Sequence, residues 1–209
     1  MNHAHGSIIF AAMNDSIAVS GSFQQLDALK QHATACTFHL ADSLEETGDA
    51  TVWICLNGFP ETAASFHGIL IVHDLLNSIP DHLKNRCIRL NGWPGCLEST
   101  RWELAGMISA QIEQLILRLG RTYTLVPDLP GMIAPRVISM IINEAYFAFE
   151  AGISSKSDID TAMKLGTNYP FGPFEWAEKI GTNEILKLLR YFSATDPRYT
   201  PATSLTQPV

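Results

Sequence analysis

Few residues in this sequence stand where they could do chemistry. His73-Asp74 ends an apolar run, Ile69–His73, and α/β sheets bind ligands outside the carboxyl ends of their strands. That imidazole is a candidate acid or base near neutral pH, or a strand-end ring satisfied by nearby backbone. Glu103, beside Trp102, reads as the opening residue of an amphipathic helix. It is either a catalytic carboxylate or a first-turn acid complementing the helix dipole. Between them, Asn91-Gly92-Trp93-Pro94-Gly95 is turn chemistry. His39 ends another apolar run, and His3 and His5 fall in a terminus expected to fray.

No standard motif links these residues. GxSxG, HExxH and the Walker loop are absent. A Rossmann dinucleotide site needs glycines where backbone approaches pyrophosphate, yet no two of the 14 glycines are separated by a single residue. The turn after the first expected strand reads Ala12-Met13-Asn14-Asp15-Ser16. Cys36, Cys55, Cys87 and Cys96 lack paired spacing, which argues against zinc and for reduced thiols.

The chain's 209 residues carry 21 acids against 14 bases, a formal charge of −7. That balance excludes phosphate-neutralising nucleic-acid binders and disfavours anionic membranes. No apolar run reaches the roughly 18 residues of a membrane span, and no leader-like pattern opens the sequence. The expectation is a cytoplasmic protein. With 46% hydrophobic residues, a real core can form.

The positioning elements fall into two textures. Ser7–Met13, Cys36–Leu40, Thr51–Leu56, Ile69–His73, Cys87–Leu90 and Thr122–Val126 read as strands, and Phe23–His32 as a helix. Leu104, Met107, Ile108, Ile112, Leu115, Ile116 and Leu119 share one helical stripe closed by Gly120. From Pro127-Asp128-Leu129-Pro130-Gly131 onward everything reads as helix: 132–150, 158–165 capped by Ser157 or Ser155 and ended by Gly166, 174–180, and 183–193. The expected domains are 1–127, 128–194 and a mobile Pro/Thr-rich tail, 195–209. The fold class is α/β plus all-α, a reduced Rossmann-like parallel sheet followed by a helical dimerisation domain. The 132–150 helix carries apolar residues round more than one face, Ile133, Val137, Met140, Ile141, Tyr146 and Phe149, which a second copy would cover.

The second half resembles a known family. Asp128-Leu129-Pro130-Gly131-Met132-Ile133, Asn143-Glu144-Ala145, Asp158-Ile159-Asp160-Thr161-Ala162-Met163-Lys164-Leu165-Gly166 and Tyr169-Pro170-Phe171-Gly172-Pro173-Phe174-Glu175-Trp176-Ala177 are similar to segments of 3-hydroxyacyl-CoA dehydrogenases, in the same order. The resemblance implies a Rossmann domain, a dimerising helical domain and NAD-dependent oxidation of a 3-hydroxyacyl-CoA. It also implies a histidine base in a His-Phe-Phe-Asn-Pro turn and a glutamate at the next helix to orient it. Here Asn91 takes the histidine's place, Glu103 keeps the glutamate's, and Pro135 stands where an asparagine is expected. Asparagine cannot accept a proton at neutral pH, so the base is missing unless His73 enters the pocket. Glu103, Asn91 and His73 are therefore the candidate site residues, and NAD is implied by the resemblance only. With them go a homodimer and a possible acyl-CoA-type ligand. Asp160 and Gly172-Pro173-Phe174 read as fold-forming.

Overall fold

The computed structural model describes residues 15–207. Its first half is a seven-stranded sheet: β1 (Asp15–Ser20), β2 (Cys36–Leu40), β3 (Val52–Cys55), β4 (Ile69–Val72), β5 (Cys87–Leu90), β6 (Arg101–Gly106) and β7 (Thr122–Val126). The order is β2-β1-β3-β4-β5-β6-β7, with β1 to β5 parallel. β6 runs antiparallel to β5, and β7 runs parallel to β6. The central strands are buried on both faces, which is why they read as continuous apolar runs. On one face α1 (Phe23–Lys30) and α2 (Ala110–Arg118) supply Leu26, Leu29, Ile112, Leu115 and Ile116. On the other, Trp53, Leu70, Val72 and Cys87 meet Ala63, Phe66, Ile79 and Leu83 from short 3-10 turns and loops. Arg86 staples one such turn through the carbonyls of Ala63, Ala64 and Phe66.

The expected Ser7–Met13 strand lies outside the described residues. Asp15-Ser16, expected in the turn that follows it, opens β1, so the turn that matters is Gly21-Ser22. Glu103 does not open a helix. Trp102 and Leu104 are buried while Arg101 is exposed and Glu103 half-buried, the alternation of a strand, and the helix starts after Ser109 caps it through Ile112 N. Leu104 and Ile108 fit both periods, which is how the strand hid inside a helical stripe.

The second half packs α3 (Ala134–Glu150), α4 (Lys156–Thr167), α5 (Pro173–Ile180) and α6 (Thr182–Ser193) around Ile142, Tyr146, Phe174, Trp176, Ile185 and Leu189. Pro135 sits in the first turn of α3, where a missing N–H is tolerated. Ser155 caps α4, which runs past Gly166 and stops at Asn168 in the left-handed region. Asp160 Oδ1 and Oδ2 accept the N–H groups of Phe174 and Glu175 at 2.8 and 3.2 Å, the fold-forming cap of α5. The tail is not loose. Tyr199, Ala202 and Leu205 are buried in the helical core. The Asn143 side chain donates to Thr200 O at 2.9 Å and accepts from Ala202 N at 2.8 Å. Among the described residues, no helix is long and apolar enough to cross a membrane.

Candidate functional site

The chain leaves β1 for β2 on one side, then returns to β3 on the other, so the strand order reverses between β1 and β3. Open α/β sheets leave a crevice at the carboxyl ends of such strands. Here a cleft of about 1060 Å³ opens there and is closed on its far side by the helical half. Ser22 and Gln25 follow β1, Asn57 and Gly58 follow β3, and His73 and Asp74 follow β4. Gly92 to Gly95 form one edge, and Phe171, Lys179, Glu184 and Lys187 come from the helical domain.

The three candidate residues meet different fates. His73 lines the cleft. Its Nδ1 accepts the N–H of Gly92 at 3.0 Å and lies 3.4 Å from Leu90 O. A side chain at position 92 would press on the ring, since a Cβ there falls 2.9 Å from His73 Cγ. Asn91 is buried and does not line the cleft. Its Oδ1 accepts from Trp93 N at 3.2 Å, and its Nδ2 has no partner. Glu103 does not line the cleft either. Its carboxylate accepts from Ile133 N and, at 3.1 Å, from Ala134 N. The acid therefore complements a helix N-terminus, but that of α3, which only the tertiary structure brings to it. Asn91 and Glu103 touch through backbone alone, Asn91 N to Glu103 O.

Burial pushes the His73 pKa below the usual histidine range; Arg89 adds to this, and Leu90 O, Glu184 and Asp74 oppose it. The unfolded chain therefore binds the proton first. Stability attributable to His73 is complete above its ordinary pKa of about 6.5 and falls as pH drops below that value. Unfolding curves of wild type and His73→Gln across that window are expected to converge as pH falls. Parallel curves would contradict the shift. Burial raises the pKa of all four thiols, that of Cys87 to about 12 and that of Cys96 to about 11, which disfavours the thiolate. Among the described residues no cluster of His, Cys, Asp and Glu could hold a metal ion.

The turn expected to cradle a dinucleotide is occupied by its own side chains. Ser22 Oγ accepts from Gln25 N at 3.2 Å, and Gln25 Oε1 accepts from Ser22 N at 2.8 Å. This reciprocal cap takes two of the free N–H groups at the start of α1. Gln25 Oε1 also fills the space beside Gly21, where a Cβ would lie 2.8 Å from it. Ser22 followed three residues on by Gln25 is a capping-box signature that was open to sequence reading. The cleft's helical wall was not, because its residues, from Phe171 onward, lie far along the chain from the strand ends they face.

One buried group ties the cleft to the helices. Arg89, fully buried, donates to Asp128 Oδ1 at 2.6 Å and to the carbonyls of Asp74 and Leu129 at 2.8 Å each. Asp128 Oδ2 accepts from Ile79 N at 2.9 Å.

A Rossmann-like sheet joined to a helical domain, with a cleft between them at the strand reversal, defines the class of protein. A family model described as "3-hydroxyacyl-CoA dehydrogenase, C-terminal domain" matches residues 131–209, which take in the helical half. Over 90 residues, 42% of the chain, it is 44% identical to 3-hydroxyadipyl-CoA dehydrogenase of Escherichia coli K12 and 40% identical to the mitochondrial hydroxyacyl-coenzyme A dehydrogenase of Homo sapiens. The matches span only 19% and 29% of those relatives' own lengths. The fold is similar to that of (S)-3-hydroxybutyryl-CoA dehydrogenase from Ralstonia eutropha, with a TM-score of 0.68, 92% of each chain covered and 18% identity. A 3-hydroxybutyryl-CoA dehydrogenase from Escherichia coli K12 matches 67% of this chain and 31% of its own, at 28% identity and a TM-score of 0.55.

Proposed function

We propose that this 3-hydroxyacyl-CoA dehydrogenase-like protein acts in acyl-CoA metabolism, that its cleft takes an acyl-CoA-type ligand, and that NAD-dependent hydride transfer is lost or impaired. The observation that carries this reading is the cleft's uneven state. It is open between sheet and helices, yet at its dinucleotide end the Ser22–Gln25 cap fills the place a pyrophosphate would need. Those residues do not fit NAD: Phe23 and Leu26 stand where further glycines would let backbone approach phosphate. The acid–base pair is missing as well, with Asn91 at the base position and Glu103 engaged by α3.

Thermal shift tests the reading. Acetoacetyl-CoA at a hundredfold excess over its Kd is expected to stabilise the fold by about 2.7 kcal/mol, while NADH leaves the melting temperature unchanged. NADH consumption that disappears in His73→Ala would instead favour an oxidoreductase with rearranged catalytic groups. No response to either ligand would favour a non-enzymatic dimer.

The proposal includes self-association through the helical half. Ile133 is 56% and Val137 53% exposed, and Val137, Met140, Ile141, Ile159 and Met163 line an apolar groove of about 660 Å³ along α3 and α4. Soluble monomers seldom leave such a face bare. Sedimentation is expected to find a dimer in wild type and a monomer in Val137→Asp; a monomeric wild type would remove this part. A cytosolic setting is likewise proposed, supported by four cysteines that are all free.

A further inference from the structure

We infer that His73 offers the cleft a neutral Nε2–H, and that this group donates a hydrogen bond to the carbonyl oxygen of a thioester or 3-oxo ligand. The inference rests on the acyl-CoA reading above, and it gives the ring a role opposite to that of a base drawing a proton from an alcohol. Backbone geometry decides between the two. The Gly92 N–H can only donate, and it points at Nδ1 from 3.0 Å. A proton on Nδ1 would set two donors face to face, so the neutral ring carries its proton on Nε2. The alternative tautomer would donate from Nδ1 to Leu90 O, which is 3.4 Å away, and would strip Gly92 N–H of its acceptor.

A base would also want a carboxylate behind it, and none is free to serve. Asp74 Oδ1 accepts from Leu76 N and Asn77 N, and its Oδ2 accepts from Asn77 Nδ2. Glu184 pairs with Lys187 at 2.6 Å, and Glu103 caps α3. Nε2 has no bond to any described residue and is not among the sealed polar atoms, so it is the ring nitrogen left for a ligand. An N–H of this kind suits an oxygen atom carrying partial negative charge.

The test is long-range proton–nitrogen NMR on histidine-labelled protein near neutral pH. His73 is expected to show a protonated Nε2 and a bare Nδ1, and acetoacetyl-CoA is expected to move the Nε2–H signal downfield while Nδ1 stays bare. In parallel, His73→Ala is expected to bind acetoacetyl-CoA about tenfold more weakly, with His73→Gln, which keeps an N–H donor, recovering part of the loss. A proton found on Nδ1, or ligand binding that leaves the His73 signals and the His73→Ala affinity unchanged, overturns this inference alone. If wild type shows the expected tautomer yet binds no acetoacetyl-CoA, the acyl-CoA reading fails and takes the inference with it.

Discussion

Asp128→Ala is expected to cost about 3–5 kcal/mol of stability, because it leaves the Arg89 guanidinium buried with no counter-charge. Arg89 has no solvent contact, and its other partners are the carbonyls of Asp74 and Leu129, which solvate a cation but do not neutralise it. The same change removes the acceptor of Ile79 N. The reverse change is milder. Arg89→Met removes the buried charge itself and fills much of its volume, while Asp128, partly exposed, keeps Ile79 N and reaches water. Urea unfolding of both variants checks the asymmetry. Equal losses, or a larger loss in Arg89→Met, would show that the pair is not the buried junction described. Since domains are marginally stable, the Asp128→Ala loss also predicts poor recovery of folded protein. The Asp74 carbonyl held by Arg89 borders the cleft, so loosening this junction is expected to weaken ligand binding too.

Deleting residues 195–209 is expected to destabilise the helical half by more than about 4 kcal/mol. Leu205 and Tyr199 are buried, and a fully buried side chain of that size contributes about 1.5–3 kcal/mol. Asn143, itself buried, would lose Thr200 O and Ala202 N together, and an orphaned buried polar group costs about 1–3 kcal/mol. Arg136 would lose the Tyr199 hydroxyl at 2.6 Å. A truly mobile tail predicts unchanged unfolding on deletion, so chemical denaturation of the shortened chain separates the two outcomes. Protease resistance of the intact tail gives a second reading of the same contact.

Four of the five parallel strands lie close to where apolar runs placed them; β3, β4 and β5 are buried on both faces and leave a signal that needs no partner to recognise, while β2 is a half-exposed edge strand. The helices of the second half were legible for a similar reason: caps such as Ser155 and a proline in the first turn are local. β6 was not, because Trp102 to Ile108 satisfies two periods, and only pairing with β5 and β7 selects the strand. The tail misled by composition. Its prolines and threonines look mobile, while three separated small or apolar residues, Tyr199, Ala202 and Leu205, fill the core.

By itself the sequence determined that a Rossmann-like sheet precedes a helical domain and that no two glycines are separated by a single residue. These are properties of residue type and spacing, written along the chain. Tertiary structure alone decided what the remaining polar groups do. Glu103 serves α3, whose first free N–H groups arrive from thirty residues away, and His73 accepts a backbone N–H that fixes which nitrogen it offers the cleft. A side chain's chemistry depends on which donor or acceptor lies within about 3 Å of it, and that distance is set by packing between elements remote in sequence.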